Sequence, residues 1–259
     1  MARAQRGIQS IEVGGALLRA LVDADAPLPL GELAQRAGMS SAKAHPYVVS
    51  FGKLGLVEQD PATGHYGLGP FALQLGVASL ERLSPLRIAA PAMAALAVTI
   101  GHTVAVAVQG SHGPTIVAIH ESSRPVHVNM RVGTVMSVLN TATGRVFAAW
   151  LPAPVVARLV AREAGDPVVT GQDPARRLRT EIDAMLAEVR DHRMARAVGD
   201  PLPGINALSA PVFDHGGALA LAITALGPAG SFDPAWDGQL ASALRECAER
   251  VSARLGYRV

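Results

Sequence analysis

The first 70 residues alternate short amphipathic segments with turns. Apolar side chains recur at helical spacing over residues 8–22 and again over residues 30–37. Gly38 suits the end of the second helix, and Ser40 and Ser41 supply hydroxyls that can cap a third helix. The buried side of this third helix is expected to carry Tyr47, Val48, Phe51 and Leu54.

Two strand-like segments follow, at residues 56–59 and 65–69, joined by the turn sequence DPATG. Three helices followed by a two-stranded hairpin predict a winged helix-turn-helix domain over residues 1–70. A further helical pattern at residues 71–85 is interpreted as a connecting helix, which Pro85 interrupts.

The pattern after the connecting helix mixes strands with helices and predicts an α+β domain over residues 86–259. Pro91 is expected near the start of an apolar helix. Strands are expected at residues 103–109, 115–121, 127–133, 206–214 and 218–226, and helices at residues 143–151, 154–163, 174–192 and 234–256.

Composition narrows the class of protein. Apolar residues make up 49% of the chain, which is enough for a sizeable core. Residues 1–80 carry six basic and six acidic side chains, so a nucleic-acid-binding face would need its positive charge gathered on one side. Because neither a signal-peptide core nor an uninterrupted apolar run of membrane-spanning length is present, we expect a cytoplasmic protein without membrane association.

Several segments taken together resemble the isocitrate lyase regulator (IclR) family of bacterial transcription factors. In the N-terminal part these are GIQSIEVGGALLRAL, LPLGELAQRAGMS and GLVEQDPATGHYGLG. In the C-terminal part they are RVGTVMSVLNTATGRVFAAWLP and PGINALSAPVFDHGGALALAITALGP. The resemblance covers nearly the whole chain, in the family's order and spacing. It implies a winged helix-turn-helix domain, a connecting helix and a GAF-like effector-binding domain, in a homodimer or tetramer that binds operator DNA and a small metabolite.

A helix-turn-helix recognises DNA with the N-terminal residues of its second helix. The matching positions here are Ser40, Ser41, Ala42, Lys43, His45 and Tyr47. The hydroxyl, ammonium and imidazole groups among them can contact phosphates or guanine acceptors. Arg6, together with Arg3, forms a basic arm that could reach the DNA, and His65 lies on or near the wing.

Pro46 departs from the family pattern, in which an arginine is expected at this position. Proline has no N–H to donate to the Ala42 carbonyl, and inside a helix it costs about 3 kcal/mol. We therefore expect the third helix to begin nearer His45, with Pro46 in its first turn, and DNA binding to be weakened or altered. Pro46 and the local charge neutrality leave a second interpretation open: a metabolite sensor that acts through protein contacts and has weakened or lost DNA binding.

The resemblance also implies an effector pocket between the start of the helix at 143–151 and the last two strands. The positions that match are Met136, Asn140, Thr141, Ala142, Thr143, Gly144, Ala197, Ala207, Thr224 and Leu226. Free N–H groups at the start of the helix can hold a carboxylate, and Arg145 could add charge. Because several of these positions are apolar, the pocket suits an aromatic or aliphatic acid. The alternative is that Thr141 and Thr143 only cap the helix.

No cofactor, metal site or catalytic centre is expected. The histidines at positions 102, 112, 120 and 127 lack metal-binding spacing. Neither Ser209 nor Ser231 lies in a recognised nucleophile motif. The single cysteine, Cys247, is expected to be buried in the last helix. These observations argue against an enzyme.

Overall fold

The computed structural model describes residues 7–121, 130–164, 174–199 and 201–258. The chain divides into two compact units, Met1–Leu83 and Ser84–Val259. The N-terminal unit contains the helices α1 (Gln9–Val22), α2 (Leu30–Arg36) and α3 (Ser41–Lys53), the strands β1 (Val57–Gln59) and β2 (Tyr66–Leu68), and the helix α4 (Pro70–Glu81). The two strands pair antiparallel. This order confirms the predicted winged helix-turn-helix.

The core of the N-terminal unit forms where α1, α2 and α3 meet, around the fully buried side chains of Leu17, Leu33 and Ala44. Gly14 lets α1 and α3 approach closely. A Cβ at this position would lie 2.9 Å from the Phe51 ring. A glycine inside a helix costs about 1 kcal/mol relative to alanine. At position 14 this cost is accompanied by a close contact between α1 and α3 that a larger residue would prevent.

Helix α3 begins at Ser41, and the prediction that it begins nearer His45 was wrong. The Ser40 hydroxyl accepts a hydrogen bond from Lys43 N at 3.4 Å, and Pro46 lies inside the helix. The cap and the burial of Ala44 stabilise the first turn, which offsets the hydrogen bond lost at Pro46.

Leu54 was expected on the buried side of α3, and this too was wrong. Its side chain is 61% exposed. The reason is that α3 ends at Lys53 and Leu54 is its C-cap residue, so the periodicity of the helix no longer sets the direction of this side chain. Gly55 follows in the left-handed conformation, with φ of 73°.

The C-terminal unit is an α+β domain. Its helices are α5 (Pro85–Ile100), α6 (Ala142–Trp150), α7 (Ala153–Ala164), α8 (Pro174–His192) and α9 (Gln239–Arg254). Its strands are β3 (Thr103–Gly110), β4 (Gly113–His120), β5 (Ala195–Val198), β6 (Ile205–Phe213) and β7 (Leu219–Pro228). They form one antiparallel sheet in the order β4-β3-β7-β6-β5.

Helix α6 packs on one face of this sheet, in a cluster of buried side chains to which the strands contribute mostly alanine. The strand residues of the cluster include Ala105, Ala107, Ala195, Ala197 and Ala222. Because side chains alternate between the faces of a strand, their neighbours face the side on which α5 and α9 pack. The small residues on the α6 face leave room for a close approach of this helix and for a cavity beside it.

Several boundaries in the C-terminal unit differ from the sequence-based expectation. Pro85 begins α5 after the N-cap Ser84, because proline is well suited to the first helical position. Pro91 was expected near the start of this helix but lies inside it. Helix α9 begins at Gln239, later than expected. The four-residue strand β5 was not predicted, since a strand so short shows no alternation.

The strand expected at 127–133 is not observed as a strand over residues 130–133, and residues 127–129 lie outside the described residues. The chain around Gly133 and Met136 instead runs beside β4. Gly133 N donates to Ile116 O at 2.8 Å, and Met136 N donates to Pro114 O at 2.7 Å. These bonds cover part of the outer edge of β4.

Candidate DNA-binding and effector sites

Helix α3 buries one side and exposes the other. Ala44 and Val48 are buried in the core of the N-terminal unit. The row opposite to them, at spacings of i, i+4, i+7 and i+11, is exposed. This central row consists of Ala42, Pro46, Val49 and Lys53. In a helix-turn-helix, the exposed side of this helix enters the major groove.

The residues that were predicted to contact DNA lie in different environments. Ser41, Lys43 and His45 are exposed and flank the central row. Ser40 is exposed, but its hydroxyl caps the helix. Tyr47 is half-buried and packs against the core of the N-terminal unit, so it is less accessible than Ser41, Lys43 and His45 on the same helix.

Val49 and Lys53 were not selected from the sequence, although both lie in the central row. The predicted DNA contacts of α3 were confined to residues 40–47, and Val49 and Lys53 lie after this range. The signal that identifies Lys53 is its spacing of eleven residues from Ala42, which places the two on one face of a continuous helix.

The wing is stabilised by hydrogen bonds at its tip. Asp60 accepts from Ala62 N and from the Thr63 hydroxyl, each at 2.8 Å. The pKa of the Asp60 carboxyl lies below its usual value, mainly because of the hydrogen bond from Ala62 N and next because of that from the Thr63 hydroxyl. The charge interaction with His65 lowers the pKa further. The tip therefore carries a negative charge at neutral pH.

His65 is half-buried, and its carbonyl closes the hairpin by accepting from Asp60 N at 2.8 Å. The sequence from 57 to 68 has no lysine or arginine, so the wing has neither of these cations to offer to DNA phosphates. Arg6 and Arg3 lie outside the described residues.

A cavity of about 290 Å³ lies in the C-terminal unit beside the N-terminus of α6. Its lining residues are Met130, Thr134, Val135, Met136, Ser137, Thr141, Ala142, Thr143, Ala197, Pro201, Leu202, Ile205, Ala207, Thr224 and Leu226. Its walls are mostly apolar, and the polar side chains that line it are hydroxyls. No charged side chain of the described residues lines it.

The structure brings most of the predicted effector positions to this cavity. Met136, Thr141, Ala142, Thr143, Ala197, Ala207, Thr224 and Leu226 line it, whereas Asn140 and Gly144 do not. Asn140 is exposed, and its backbone N–H donates to the Ser137 hydroxyl at 3.0 Å.

Gly144 has a packing role behind the cavity. A Cβ on Gly144 would lie 1.8 Å from the Ser137 carbonyl oxygen and 2.6 Å from the Val138 Cα. The first turn of α6 therefore lies directly on the backbone that leads into it. Only glycine allows this approach, which brings Thr141 and Ser137 to the same wall of the cavity.

Two of the hydroxyls that line the cavity, those of Thr143 and Thr224, belong to a hydrogen-bonded chain that continues to Ser209. Thr143 Oγ1 lies 2.8 Å from Thr224 Oγ1, and Thr224 Oγ1 donates to Ser209 Oγ at 2.8 Å. All three residues are buried. Thr143 and Thr224 therefore do more than cap or pack, because both line the cavity and hydrogen-bond to each other.

The N-terminus of α6 offers N–H donors beside the cavity. Thr141 is the N-cap, and its hydroxyl accepts from Gly144 N at 2.9 Å. Within the described residues, no acceptor is bonded to the N–H groups of Ala142 and Thr143. Both residues line the cavity. Free N–H groups and the positive end of a helix attract an anion such as a carboxylate.

Arg145 does not bring its charge to the cavity, contrary to the sequence-based expectation. Its Nε donates to Leu139 O at 2.7 Å, and its Nη1 donates to Arg196 O at 2.8 Å. Glu163 holds the same loop from α7: it accepts from the Ser137 hydroxyl at 2.8 Å and from Val138 N at 2.6 Å. The two charged side chains thus fix the loop that forms one wall.

Seven lining residues were not selected from the sequence: Met130, Thr134, Val135, Ser137, Pro201, Leu202 and Ile205. They lie on two connecting segments, before α6 and before β6, except for Ile205, which is the first residue of β6. These segments show no periodicity, so no pattern indicated which of their side chains face the cavity.

The described residues contain no group of three or more histidine, cysteine or carboxylate side chains that could hold a metal ion. His127 lies outside them. Cys247 is buried, as expected, and its burial raises the pKa of the thiol.

Within the described residues no single helix is long and apolar enough to cross a membrane. The bent pair formed by α4 and α5, which a short break separates, reaches the required length and apolar composition when the two helices are taken together.

Comparison with known proteins is consistent with this architecture. Residues 10–61 match the IclR helix-turn-helix domain, and residues 77–253 match the C-terminal domain of bacterial IclR transcriptional regulators. The glycerol operon regulatory protein of Streptomyces griseus is 32% identical over 262 residues, which cover 97% of this chain and 98% of that protein.

Solved structures are similar over almost the whole chain. The crystal structure of Pseudomonas aeruginosa HmgR has a TM-score of 0.86 and 35% identity, covering 96% of this chain and 99% of that chain. The Agrobacterium tumefaciens repressor BlcR has a TM-score of 0.80 and covers 98% of this chain and 100% of that chain; at 19% identity it supports the fold alone. The chain belongs to the IclR family of DNA-binding transcriptional regulators, and it is not an enzyme.

Proposed function

We propose that this regulator binds operator DNA as a homodimer, and that a small organic acid in the C-terminal cavity changes its affinity for the operator. The observation that carries the effector proposal is the composition of the cavity: free N–H groups of Ala142 and Thr143 at one end and apolar walls elsewhere. The effector must bind the DNA-competent and DNA-incompetent forms with different affinities, because otherwise it shifts no equilibrium.

The size and walls of the cavity favour a compact, largely apolar acid. Its volume of about 290 Å³ is at the small end of ligand pockets, which run from about 300 to 1,000 Å³. A polyol would bury hydroxyls against Val135, Leu202 and Leu226, where hydrogen-bond partners are few. Glycerol, which appears in the name of the Streptomyces relative, is therefore a useful negative control.

We expect benzoate or octanoate to raise the melting temperature, and benzyl alcohol or octanol to have much less effect, because only the acids bring a negative charge to the N–H groups at the positive end of α6. At a hundredfold excess over Kd, the stabilisation is about 2.7 kcal/mol. Differential scanning fluorimetry measures this. Ala197→Leu fills the cavity and is expected to remove the shift, whereas Ala157→Leu, at an exposed position, keeps it.

Two outcomes would contradict the effector proposal. Equal shifts from each acid and its alcohol would contradict the carboxylate position at α6. An acid-induced shift that survives Ala197→Leu would contradict the cavity as the binding site.

The DNA-binding surface is proposed to be the exposed side of α3. Lys43 and Lys53 are its cations. We expect Lys43→Ala and Lys53→Ala each to reduce the slope of log affinity against log salt by about 1, because each removes one phosphate contact. Fluorescence anisotropy with the DNA upstream of the protein's own gene, over about 50 to 200 mM salt, measures the slope.

Arg250→Ala is the matched control, since it removes the same charge from an exposed position on α9. An unchanged slope in both lysine variants would contradict the placement of α3 on DNA. Absent binding by the wild-type protein would favour the sensor that acts through protein contacts.

Helix α4 supports the homodimer. The helix is rich in large apolar side chains, yet none of its residues is buried. Those exposed are Phe71, Leu73, Leu75, Val77 and Leu80. Such a helix is stabilised when a partner covers it. A second copy of the chain is the proposed partner, because a dimer also presents two recognition helices to two half-sites.

A further inference from the structure

We propose that the main-chain carbonyl oxygen of Ala42 recognises a base in the operator, by accepting a hydrogen bond from the exocyclic amino group of an adenine or a cytosine. This inference rests on the proposed binding of α3 to DNA and adds one contact to it. The contact arises from Pro46, the residue that departs from the pattern expected at this position.

The first step is that this carbonyl lacks its usual donor. In an α-helix, each carbonyl accepts from the N–H four residues later. For Ala42 that residue is Pro46, whose nitrogen carries no hydrogen. Helix α3 nevertheless runs without a break from Ser41 to Lys53. The Pro46 carbonyl, by contrast, accepts an additional hydrogen bond from the Ser50 hydroxyl at 2.9 Å.

The second step is the position of the carbonyl. Ala42 and Pro46 lie in the central row of α3, opposite to the buried Ala44 and Val48. The side chains of the row are short as far as Val49. From Ala42 to Val49 the row therefore has no long side chain that would keep the backbone away from the base edges, and Lys53 lies one turn beyond Val49. We therefore expect the Ala42 carbonyl to come close to the base edges.

The third step is the cost of leaving the acceptor without a donor. Ala42 is exposed, so in the free protein we expect solvent to hydrate a carbonyl of this residue that has no helical donor. When α3 enters the groove, this water is displaced, and a buried acceptor without a donor weakens binding by about five- to hundredfold. In the major groove the donors are adenine N6 and cytosine N4, whereas guanine N7, guanine O6 and thymine O4 are acceptors.

The contact has a base preference that separates it from side-chain recognition. Arginine and lysine select guanine, and asparagine and glutamine select adenine. A carbonyl accepts equally well from adenine and from cytosine. We therefore expect one position in each half-site at which adenine and cytosine are both accepted and guanine and thymine are both rejected.

The test compares three full-length proteins on a duplex library with a randomised central segment: the wild type, Pro46→Ala and Gly52→Ala. Pro46→Ala restores an N–H that bonds to the Ala42 carbonyl. Gly52→Ala is the matched control, because it also favours the helix without supplying that N–H. A Cβ on Gly52 meets only Val57 O, at an ordinary 3.9 Å. Bound duplexes are sequenced, and Kd is then measured for the four bases at each enriched position.

For the wild type and Gly52→Ala, we expect adenine and cytosine to be preferred over guanine and thymine at one position by about five- to hundredfold. Pro46→Ala is expected to reduce this preference below about threefold while the other positions keep theirs. A preference that persists in Pro46→Ala, disappears equally in Gly52→Ala, or is absent from the wild-type motif would overturn the inference. If the wild type enriches no motif at all, DNA binding by α3 itself is overturned.

Discussion

Gly144→Ala is expected to destabilise the C-terminal unit by about 3 kcal/mol or more, which is at the upper end for overpacking. The added Cβ would lie 1.8 Å from the Ser137 carbonyl oxygen and 2.5 Å from its carbon. Both atoms belong to the backbone, so no flexible side chain can move aside. Relief requires the loop before α6 to shift, but Glu163 and Arg145 hold that loop by hydrogen bonds.

The same substitution is expected to remove effector binding, because Ser137 and Thr141 would leave their places in the cavity wall. Chemical denaturation measures the stability, and the acid-induced shift in melting temperature measures the binding. Gly230→Ala is the matched control in the same unit, since a Cβ there meets no atom within 4 Å. Equal stability of the two variants would show that the α6 junction is not as tightly packed as the structure indicates.

Leu73→Asp is expected to convert the proposed homodimer to a monomer and to lower operator affinity by about 10²–10⁴-fold, because two linked half-site contacts become one. The Leu73 side chain is 70% exposed in the single chain, so the charge costs little in the protomer itself. In the proposed dimer interface, the same carboxylate would be buried against apolar side chains, at a cost of several kcal/mol.

Gln74→Asp is the control for Leu73→Asp. It introduces the same charge on the same helix, at an exposed position that lies apart from the row of Leu73, Val77 and Leu80. Sedimentation velocity gives the oligomeric state, and anisotropy gives the DNA affinity. A Leu73→Asp protein that remains dimeric would place the dimer interface elsewhere. A monomer with wild-type affinity would contradict the role of the dimer in operator binding.

The helical and strand segments were largely predictable because periodicity is a local property. The pattern of residues 8–22 predicts α1, and alternating apolar strands predict β3 and β7. The errors fall where tertiary contacts outweigh a local rule. Pro46 was expected to delay α3, yet capping by Ser40 and burial of Ala44 stabilise the earlier turns.

The cavity was predictable only in part. Matching to family segments led to Thr143 and Thr224, which are far apart in sequence and whose hydroxyls lie 2.8 Å from each other. It did not lead to Met130 or Leu202, which lie on connecting segments without periodicity. Matching to family segments also predicted that Gly144 contacts the effector. In the structure, Gly144 instead allows the first turn of α6 to pack closely against the backbone of Ser137.

The sequence by itself determined the family and most of the helices and strands in their order, because these depend on periodicity, turn residues and motif order along the chain. Only the tertiary structure decided the directions of side chains and free backbone groups. It turned Arg145 away from the cavity and aligned Ala42, Pro46 and Lys53 in one exposed row. The physical reason is that both outcomes depend on which groups are buried and hydrogen-bonded. Contacts between distant residues set this burial and bonding, and no short stretch of sequence contains those contacts.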